Sequence, residues 1–481
     1  MAASSPPRGF LLNLLSVLGG ESAARIATLA MAVLVGHRFG AAGLGAYGYA
    51  VALASVLLLV PDCGSHLLVT REVAARPDEL AGWFWAMQAL KWRLATVVVV
   101  GTVALELWGL HDPGRRLLLG LLMARALLQT YSQGCAAVFR ALERMHFIAG
   151  VQGANAATVL TCVGVAWFWH ASLGMVTACL LAGQMVETGL AWRFVRVCFP
   201  TGPHPRRFSP TPAAMFLAAL PLGVTTLLQA LSLRLDVLVL SLRSPNAVLG
   251  RFQACAYLLL AAYLAASLLM TVLFPKLARV LRGPRQRGRV YAAHLTKYSL
   301  LTSVPISLLV WKMAPRVLAV LFGPRLASAS GLLRLLIPAL PLLFLNTVLF
   351  YVLVAARRRA AYLGVTAAGV GVGVVLQFVL AGAAGARGSA IADVVTQLVM
   401  AAGFLGCVLR AIWTPRLMRH AVRIGLGAVA IALAAAALSW LRPPLDRTAI
   451  SEVALLAGSL WIFGRPRLRE LLFLSSPQVL P

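Results

Sequence analysis

The sequence predicts an all-α integral membrane protein of about fourteen transmembrane helices, arranged as two six-helix bundles followed by two further helices. Three observations predict it. Of 481 residues, 60% are hydrophobic and 12% charged, and the mean hydropathy of +0.86 lies far above the range of soluble domains. Apolar stretches long enough to cross a bilayer recur along nearly the whole chain, leaving no segment large enough for a separate soluble domain. Lys and Arg number 43 against 14 Asp and Glu, a net charge of +29, and the cations gather in short segments between the apolar stretches. In a soluble chain that charge would suggest nucleic acid; in a membrane chain it marks loops facing anionic cytoplasmic lipid, and nucleic acid is not expected as a partner.

The elements follow in order. Six spans are predicted at about 11–36, 44–62, 81–108, 117–138, 147–169 and 173–195, each matching the length that a bilayer core requires. The segment RVCFPTGPHPRRFSPTP, rich in Pro and basic residues, follows them and reads as a linker. Eight more spans are predicted at about 213–241, 252–274, 298–320, 331–354, 361–383, 388–409, 421–440 and 449–463. The expected organisation is therefore an N-terminal bundle over 1–200, a cytoplasmic linker over 201–212, a second bundle over 213–410, and two extra helices with a basic tail over 411–481. Placing both termini in the cytoplasm puts the strongest basic segments on the inner side: Lys276 to Lys297, the triplet Arg357, Arg358 and Arg359, and Arg410 to Arg423. The first span holds Glu21 and Arg25 and lacks a small-residue cleavage site, so it reads as a retained helix rather than a cleaved signal.

Sliding the chain by about 205 residues aligns Gly45-Ala46-Tyr47 after the first span with Gly250-Arg251-Phe252 after the seventh. Gly19 with Gly20 is expected to interrupt the first span and Pro221 the seventh. Paired interruptions in two halves point to a transport site between repeats.

Polar side chains inside the spans fall into stripes. In the fourth span Arg125, Gln129, Ser132, Gln133 and Arg140 share a helix face; in the fifth Gln152, Asn155, Thr158 and Thr161 do so. The sixth carries Thr177, Gln184 and Glu187, the seventh Thr225, Gln229, Ser232 and Asp236, and the twelfth Ser389, Asp393, Thr396 and Gln397. Hydrogen-bond glue between helices and the wall of a wet cavity both use such stripes. Charges separate the two better. Arg25 lies about 20 Å into its helix, too deep to snorkel, and needs either water or an ion pair with Glu21 one turn earlier. Arg125 and Arg234 sit nearer their helix ends. Lys91 and Arg93, surrounded by Trp83, Trp85 and Trp92, read as interfacial. Basic residues exceed acidic ones inside the spans, which suits an anionic passenger.

No constellation of catalytic type stands out: no Ser/His/Asp set shares a neighbourhood, and no GxxxxGK loop occurs. The seven cysteines show no CxxC or metal spacing, so no disulfide, metal site or cofactor is implied.

Several segments resemble the polysaccharide-export branch of the MOP superfamily, the MATE-like group that includes Wzx-type flippases of lipid-linked O-antigen units. GHRFGAAGLGAYGYA resembles the family's LGxxxYG turn, PDCGSHLLVTREVA its DxG…REVA segment, and Phe139-Arg140-Ala141-Leu142-Glu143-Arg144-Met145 the end of its fourth helix. The stretch LPLGVTTLLQALSLRLDVLVLSLRSPNAVLGRF resembles its seventh helix, with Pro221, Arg234, Asp236, Gly250 and Phe252 at the motif positions. Phe252 stands where the family has Tyr, and His37 where it has Arg. The resemblance implies two bundles arranged in a V, helices one and seven lining a cationic cavity, and a polyprenyl-diphosphate-linked glycan moved from cytoplasmic to external leaflet of a bacterial inner membrane by alternating access.

On that basis Arg25, Arg125 and Arg234, with Gln129 and Gln229, are the expected substrate ligands, and Asp236 or Asp393 the ion-coupling residue. The expected partners are the lipid-linked glycan, membrane lipids and glycan polymerase or assembly proteins, with the chain a monomer and not an enzyme. Two other classes share the composition: a membrane-integral glycan ligase, polymerase or acyltransferase, and a cation-coupled multidrug exporter of the same superfamily.

Overall fold

The structure is a computed structural model describing residues 7–109, 113–169, 171–198, 210–282 and 284–411. Its elements there are all helical. The predicted helices at 421–440 and 449–463 and most of the linker lie outside the described residues.

The helices fall into two compact units. The first comprises Met1–Ala254 with Leu321–Leu326, the second Cys255–Val320 with Ala327–Pro481. Unit 1 holds α1 (Pro7–Leu57), α2 (Leu59–Asp62), α3 (Ser65–Ala75), α4 (Leu80–Gly109), α5 (Pro113–Ala141), α6 (Met145–Phe168), α7 (Leu173–Cys198), α8 (Pro212–Arg243) and the first turns of α9 (Asn246–Arg282). Unit 2 holds the rest of α9, most of α10 (Arg285–Phe322), and α11 (Ser330–Leu336), α12 (Ala339–Ala355) and α13 (Arg359–Ala411). In unit 1 Phe84, Met87, Val138 and Phe139 anchor the apolar core; in unit 2 Leu277, Leu349, Leu353 and Phe404 do so.

Two pairs of expected spans are joined without a loop. The helix α1 covers the first span and most of the second, and turns at Gly40 (φ 64, ψ −160); α13 covers the eleventh and twelfth and turns at Gly385 (φ 57, ψ −133). Both glycines have positive φ outside the helical region, which favours glycine, so one residue kinks the chain where a loop was expected. Among the described residues six helices are long and apolar enough to cross a membrane, or seven if the bent pair α11 and α12 is one span. The chain is multi-pass, and fourteen spans are not counted here.

The Gly19 and Gly20 pair does not interrupt α1, which is helical through both. Gly20 has another use: a Cβ there would lie 2.9 Å from Gln152 Oε1 and 3.0 Å from Ala149 Cα, so glycine lets α6 close on α1. Likewise α8 continues through Pro221, a substitution that membrane helices tolerate when neighbours satisfy the freed carbonyl.

The glycines aligned by the internal repeat meet face to face. A Cβ on Gly45 would stand 1.9 Å from the carbonyl oxygen of Asn246, and one on Gly250 would stand 1.7 Å from that of Ala41. Each half supplies a glycine to one close crossing of α1 and α9.

Lys91 is not interfacial. Its side chain is 3% exposed and Asp62 is 5% exposed, with Lys91 Nζ donating to Asp62 Oδ1 at 2.8 Å and to the Thr130 carbonyl at 3.1 Å. The second carboxylate oxygen lies 2.6 Å from His66 Nδ1. Asp62 ends α2, where Cys63 (φ 43) and Gly64 (φ 73) turn the chain into α3. The Asp62–His66 bond therefore bridges a helix break. A Cβ on Gly64 would lie 2.4 Å from Gly223 N, so this break rests directly on the α8 backbone.

Candidate functional site

The stripes of α5, α6 and α7 meet α1 inside unit 1 around a cavity of about 270 Å³. Apolar residues such as Phe139, Ile148 and Val159 form part of its wall, and polar ones the remainder. Arg25 comes from α1, Arg125, Gln129, Ser132, Gln133 and Arg140 from α5, Gln152 and Asn155 from α6, and Gln184 and Glu187 from α7. Helical spacing explains the grouping: Arg125, Gln129, Ser132, Ala136 and Arg140 recur every three or four residues, so one face of α5 supplies all of them.

The carboxylate of Glu187 is held on both oxygens. Ser132 Oγ donates to Oε1 at 2.8 Å, and Asn155 Nδ2 donates to Oε2. Gln184 Nε2 donates to Ser132 Oγ at 3.2 Å, fixing the serine in turn. Glycine at 183 makes this possible, since a Cβ there would fall 2.5 Å from Asn155 Oδ1. Among the described residues Glu187 is thus held in place without an arginine partner.

Two groups on the wall stand out among the described residues. Arg125 makes no hydrogen bond or ion pair there, and Gln152 Oε1 is buried without a donor. A guanidinium offers five donors and an amide oxygen accepts two hydrogen bonds. The wall can therefore hold an anion at the arginines and a donor such as a hydroxyl at Gln152 and Glu187, while burial strengthens both.

The expected ligands separate. Arg25, Arg125 and Gln129 share the cavity, with Arg140 beside them. Arg234 does not line it, and the side chain of Gln229, like that of Glu21, lies outside the described residues. Asp236 on α8 is half-buried, with Oδ1 accepting the Val237 N–H at 2.8 Å; Asp393 lies on α13 in unit 2. Other cavity residues, among them Arg140, Gln152, Asn155 and Glu187, were visible in the sequence as stripes without being expected to touch substrate.

Two pairs of described polar residues in unit 2 close on one another instead. Ser389 Oγ donates to Gln377 Oε1 at 2.7 Å, and Asn346 Nδ2 donates to Gln397 Oε1 at 3.0 Å and to its carbonyl at 3.1 Å. These are interhelical ties of the kind that membrane bundles use.

Residues 10–281 match the family of polysaccharide biosynthesis proteins. No curated protein sequence matches the chain. Among solved structures, the lipid II flippase MurJ in an inward closed conformation superposes with a TM-score of 0.67 at 13% identity, covering 92% of this chain and 96% of its own. An inward-facing multidrug resistance MATE family transporter of the MOP superfamily gives 0.63 at 16% identity over 81% of this chain and 94% of that one. A MOP superfamily transporter from Pyrococcus furiosus gives 0.61 at 15% identity over 85% and 96%. At these identities the likeness establishes a common fold, that of the MOP superfamily.

Proposed function

Because the chain belongs to the polysaccharide biosynthesis protein family, we propose that it is a flippase, carrying a polyprenyl-diphosphate-linked oligosaccharide from the cytoplasmic to the external leaflet by alternating access. One observation carries the reading: Arg25, Arg125 and Arg140 open into a single cavity with Arg125 unpartnered there among the described residues. The diphosphate would sit against these guanidinium groups, which bind phosphate oxygens in bidentate fashion. Gln129, Gln152 and Glu187 would face sugar hydroxyls, and the prenyl chain would stay in lipid. The fold shared with a lipid II flippase supports the lipid-linked substrate class.

In this reading the membrane is a bacterial inner membrane with both termini cytoplasmic, and the chain works as a monomer beside glycan polymerase or assembly proteins. Arg234 and Gln229 would meet the passenger along its path. Asp236 or Asp393 would take the coupling proton or sodium ion, and Asp236→Asn or Asp393→Asn would flatten the dependence of transport on that ion.

Glu187 favours one rival, since a carboxylate on the cavity wall also suits a cationic drug. Purified protein in vesicles separates the readings. Leaflet transfer of a lipid-linked glycan, with its mass unchanged, is expected, and Arg125→Ala should slow it at least tenfold, the effect of one lost charge-assisted bond of about 1.5 kcal/mol. A product of altered mass would indicate a glycan enzyme. Unchanged glycan transfer in Arg25→Ala and Arg125→Ala, with cation export lost in Glu187→Gln, would replace the proposal by the drug exporter.

A further inference from the structure

The helices α6 and α7 carry two cysteines, Cys162 and Cys179, that neither line the cavity nor belong to the apolar core of unit 1. Their placement follows from how the two helices meet. Asn155 donates to Glu187, and a Cβ on Gly183 would stand 2.6 Å from Val159 Cγ2 and 3.2 Å from the carbonyl oxygen of Asn155. Numbers rise along α6 as they fall along α7, so the helices are antiparallel, and at Gly183 their backbones nearly touch. One turn further on, the same two faces set Cys162 against Cys179.

The two side chains do meet. Cys179 Sγ donates to the Met175 carbonyl at 3.3 Å, and its thiol also forms a side-chain hydrogen bond with that of Cys162. Both are free thiols and both are half-buried. A single cysteine in a membrane helix serves as a small hydrophobe. Two held sulfur to sulfur across a crossing form a dithiol, and the close approach that Gly183 allows is what a disulfide needs, since its Cα atoms stand about 5.5–6 Å apart.

The location suits oxidation. Phe168 ends α6 six residues after Cys162, and Leu173 begins α7 six residues before Cys179, so the pair lies about 9 Å from the connection at 169–172. Arg140, Arg144, Arg193 and Arg196 cluster toward the opposite ends of the two helices, whereas residues 169–172 include no Lys or Arg. Under the positive-inside rule the connection faces the external side, where disulfides persist.

We propose that Cys162 and Cys179 are a redox-active pair that closes into a disulfide, stapling α6 to α7, with a small disulfide as the oxidant. The thiolate of one cysteine attacks the small disulfide, releases one donor thiol and leaves a mixed disulfide; the thiolate of the other attacks the protein sulfur of that mixed disulfide and releases the second donor thiol. Two protein S–H bonds give way to one S–S bond, and the two electrons and two protons end on the donor sulfurs. The staple fixes the spacing of the helices that bring Asn155 to Glu187 about two turns further along. It depends neither on the passenger nor on the reading of the cavity.

The test uses the full chain, reduced and purified in detergent, then treated with the membrane-permeant disulfide dithiodipyridine. Remaining thiols are alkylated in denaturant, and the protein is digested without reduction and read by mass spectrometry. Peptides of α6 and α7 joined through Cys162 and Cys179 are expected, while the buried Cys135 and Cys198 should be recovered alkylated. Oxidation should raise the unfolding temperature, and reductant should return it to the starting value. Cys162→Ser should abolish both effects. Phenylarsine oxide, whose arsenic bonds two thiols at once, reads the pair without an oxidant, and Cys179→Ser should bind one equivalent fewer than the unmodified protein. If either variant does not fold, the peptide map of the unmodified protein decides alone. Recovery of Cys162 and Cys179 unlinked, their linkage to other cysteines, an unfolding temperature that oxidation does not raise, or an unchanged arsenical stoichiometry in Cys179→Ser would each overturn the proposal.

Discussion

Replacing Lys91 by Met tests whether the Asp62–Lys91 pair holds unit 1 together. Methionine fills a similar volume and suits an apolar wall, so the change removes charge more than packing. At 2.8 Å the two charges attract by roughly 6 kcal/mol with an effective dielectric constant of about 20, while the side chains are only 3% and 5% exposed. That gross attraction is offset by the cost of burying both ions, so removing the pair is cheaper than removing one member. With Lys91 gone, the Asp62 carboxylate stays buried, keeps His66 Nδ1 at 2.6 Å, and leaves the Thr130 carbonyl without its donor. An unpaired buried charge costs about 3–5 kcal/mol, and the remaining histidine places this case near the lower end, at about 3 kcal/mol. Adding Asp62→Asn removes the stranded charge and should restore about half of the loss. The assay is reversible unfolding in mixed detergent micelles, run as a double-mutant cycle on Lys91→Met, Asp62→Asn and both together. Additive losses, or a loss below about 1 kcal/mol in Lys91→Met alone, would show that the pair is not coupled and refute the reasoning.

Three further outcomes follow from the geometry. Gly45→Ala and Gly250→Ala each drive a Cβ into a backbone carbonyl and should each destabilise the protein by about 1–3 kcal/mol, read as lowered unfolding temperature in detergent; an unchanged midpoint would mean the crossing is looser than described. Gly64→Ala adds a side chain at φ 73 against Gly223 N and should cost more than about 2 kcal/mol, measured in the same way, whereas the flanking Ser65→Ala should change little. Glu187→Gln should tighten binding of a diphosphate-bearing lipid by a few-fold at low salt, because it removes an anion from a wall shared with Arg25, Arg125 and Arg140; weaker binding in titration calorimetry would show that Glu187 serves chiefly to position that wall.

Much of the fold was legible because a membrane span leaves a strong periodicity-free signal bounded by charge and proline. The spans expected at 117–138, 147–169, 173–195 and 213–241 correspond to Pro113–Ala141, Met145–Phe168, Leu173–Cys198 and Pro212–Arg243. Turns made by a single residue were not legible: nothing in GHRFGAAGLG separates a loop from one glycine at φ 64, since the flanking residues are equally compatible with helix. Lys91 misled for a related reason. Its tryptophan neighbours imitate an interfacial belt, and its partner Asp62 lies 29 residues away at a break that reads as the end of a span. The repeat alignment singled out Gly45 and Gly250, yet their contact joins α1 to α9 and depends on how those helices cross.

The candidate site was half legible, and the division has a physical cause. Spacing along one helix states which side chains share a face, so the stripes of α5, α6 and α7 could be read directly. It does not state which neighbour that face meets. Satisfaction of hydrogen bonds supplies the missing distinction between tie and cavity. Ser389 and Gln377, and Asn346 and Gln397, look in sequence like Ser132 and Gln129, but in unit 2 each donor found an acceptor on a facing helix segment and the space between them closed. Around Glu187 the same chemistry secures one carboxylate and stops there. Arg125 and Gln152 are left facing about 270 Å³ of open space, because among the described residues no neighbouring helix brings an acceptor or donor to Arg125 or to Gln152 Oε1. Polar groups at membrane depth are costly to leave unsatisfied, so their persistence on one wall is better explained by a passenger that satisfies them in turn than by packing alone.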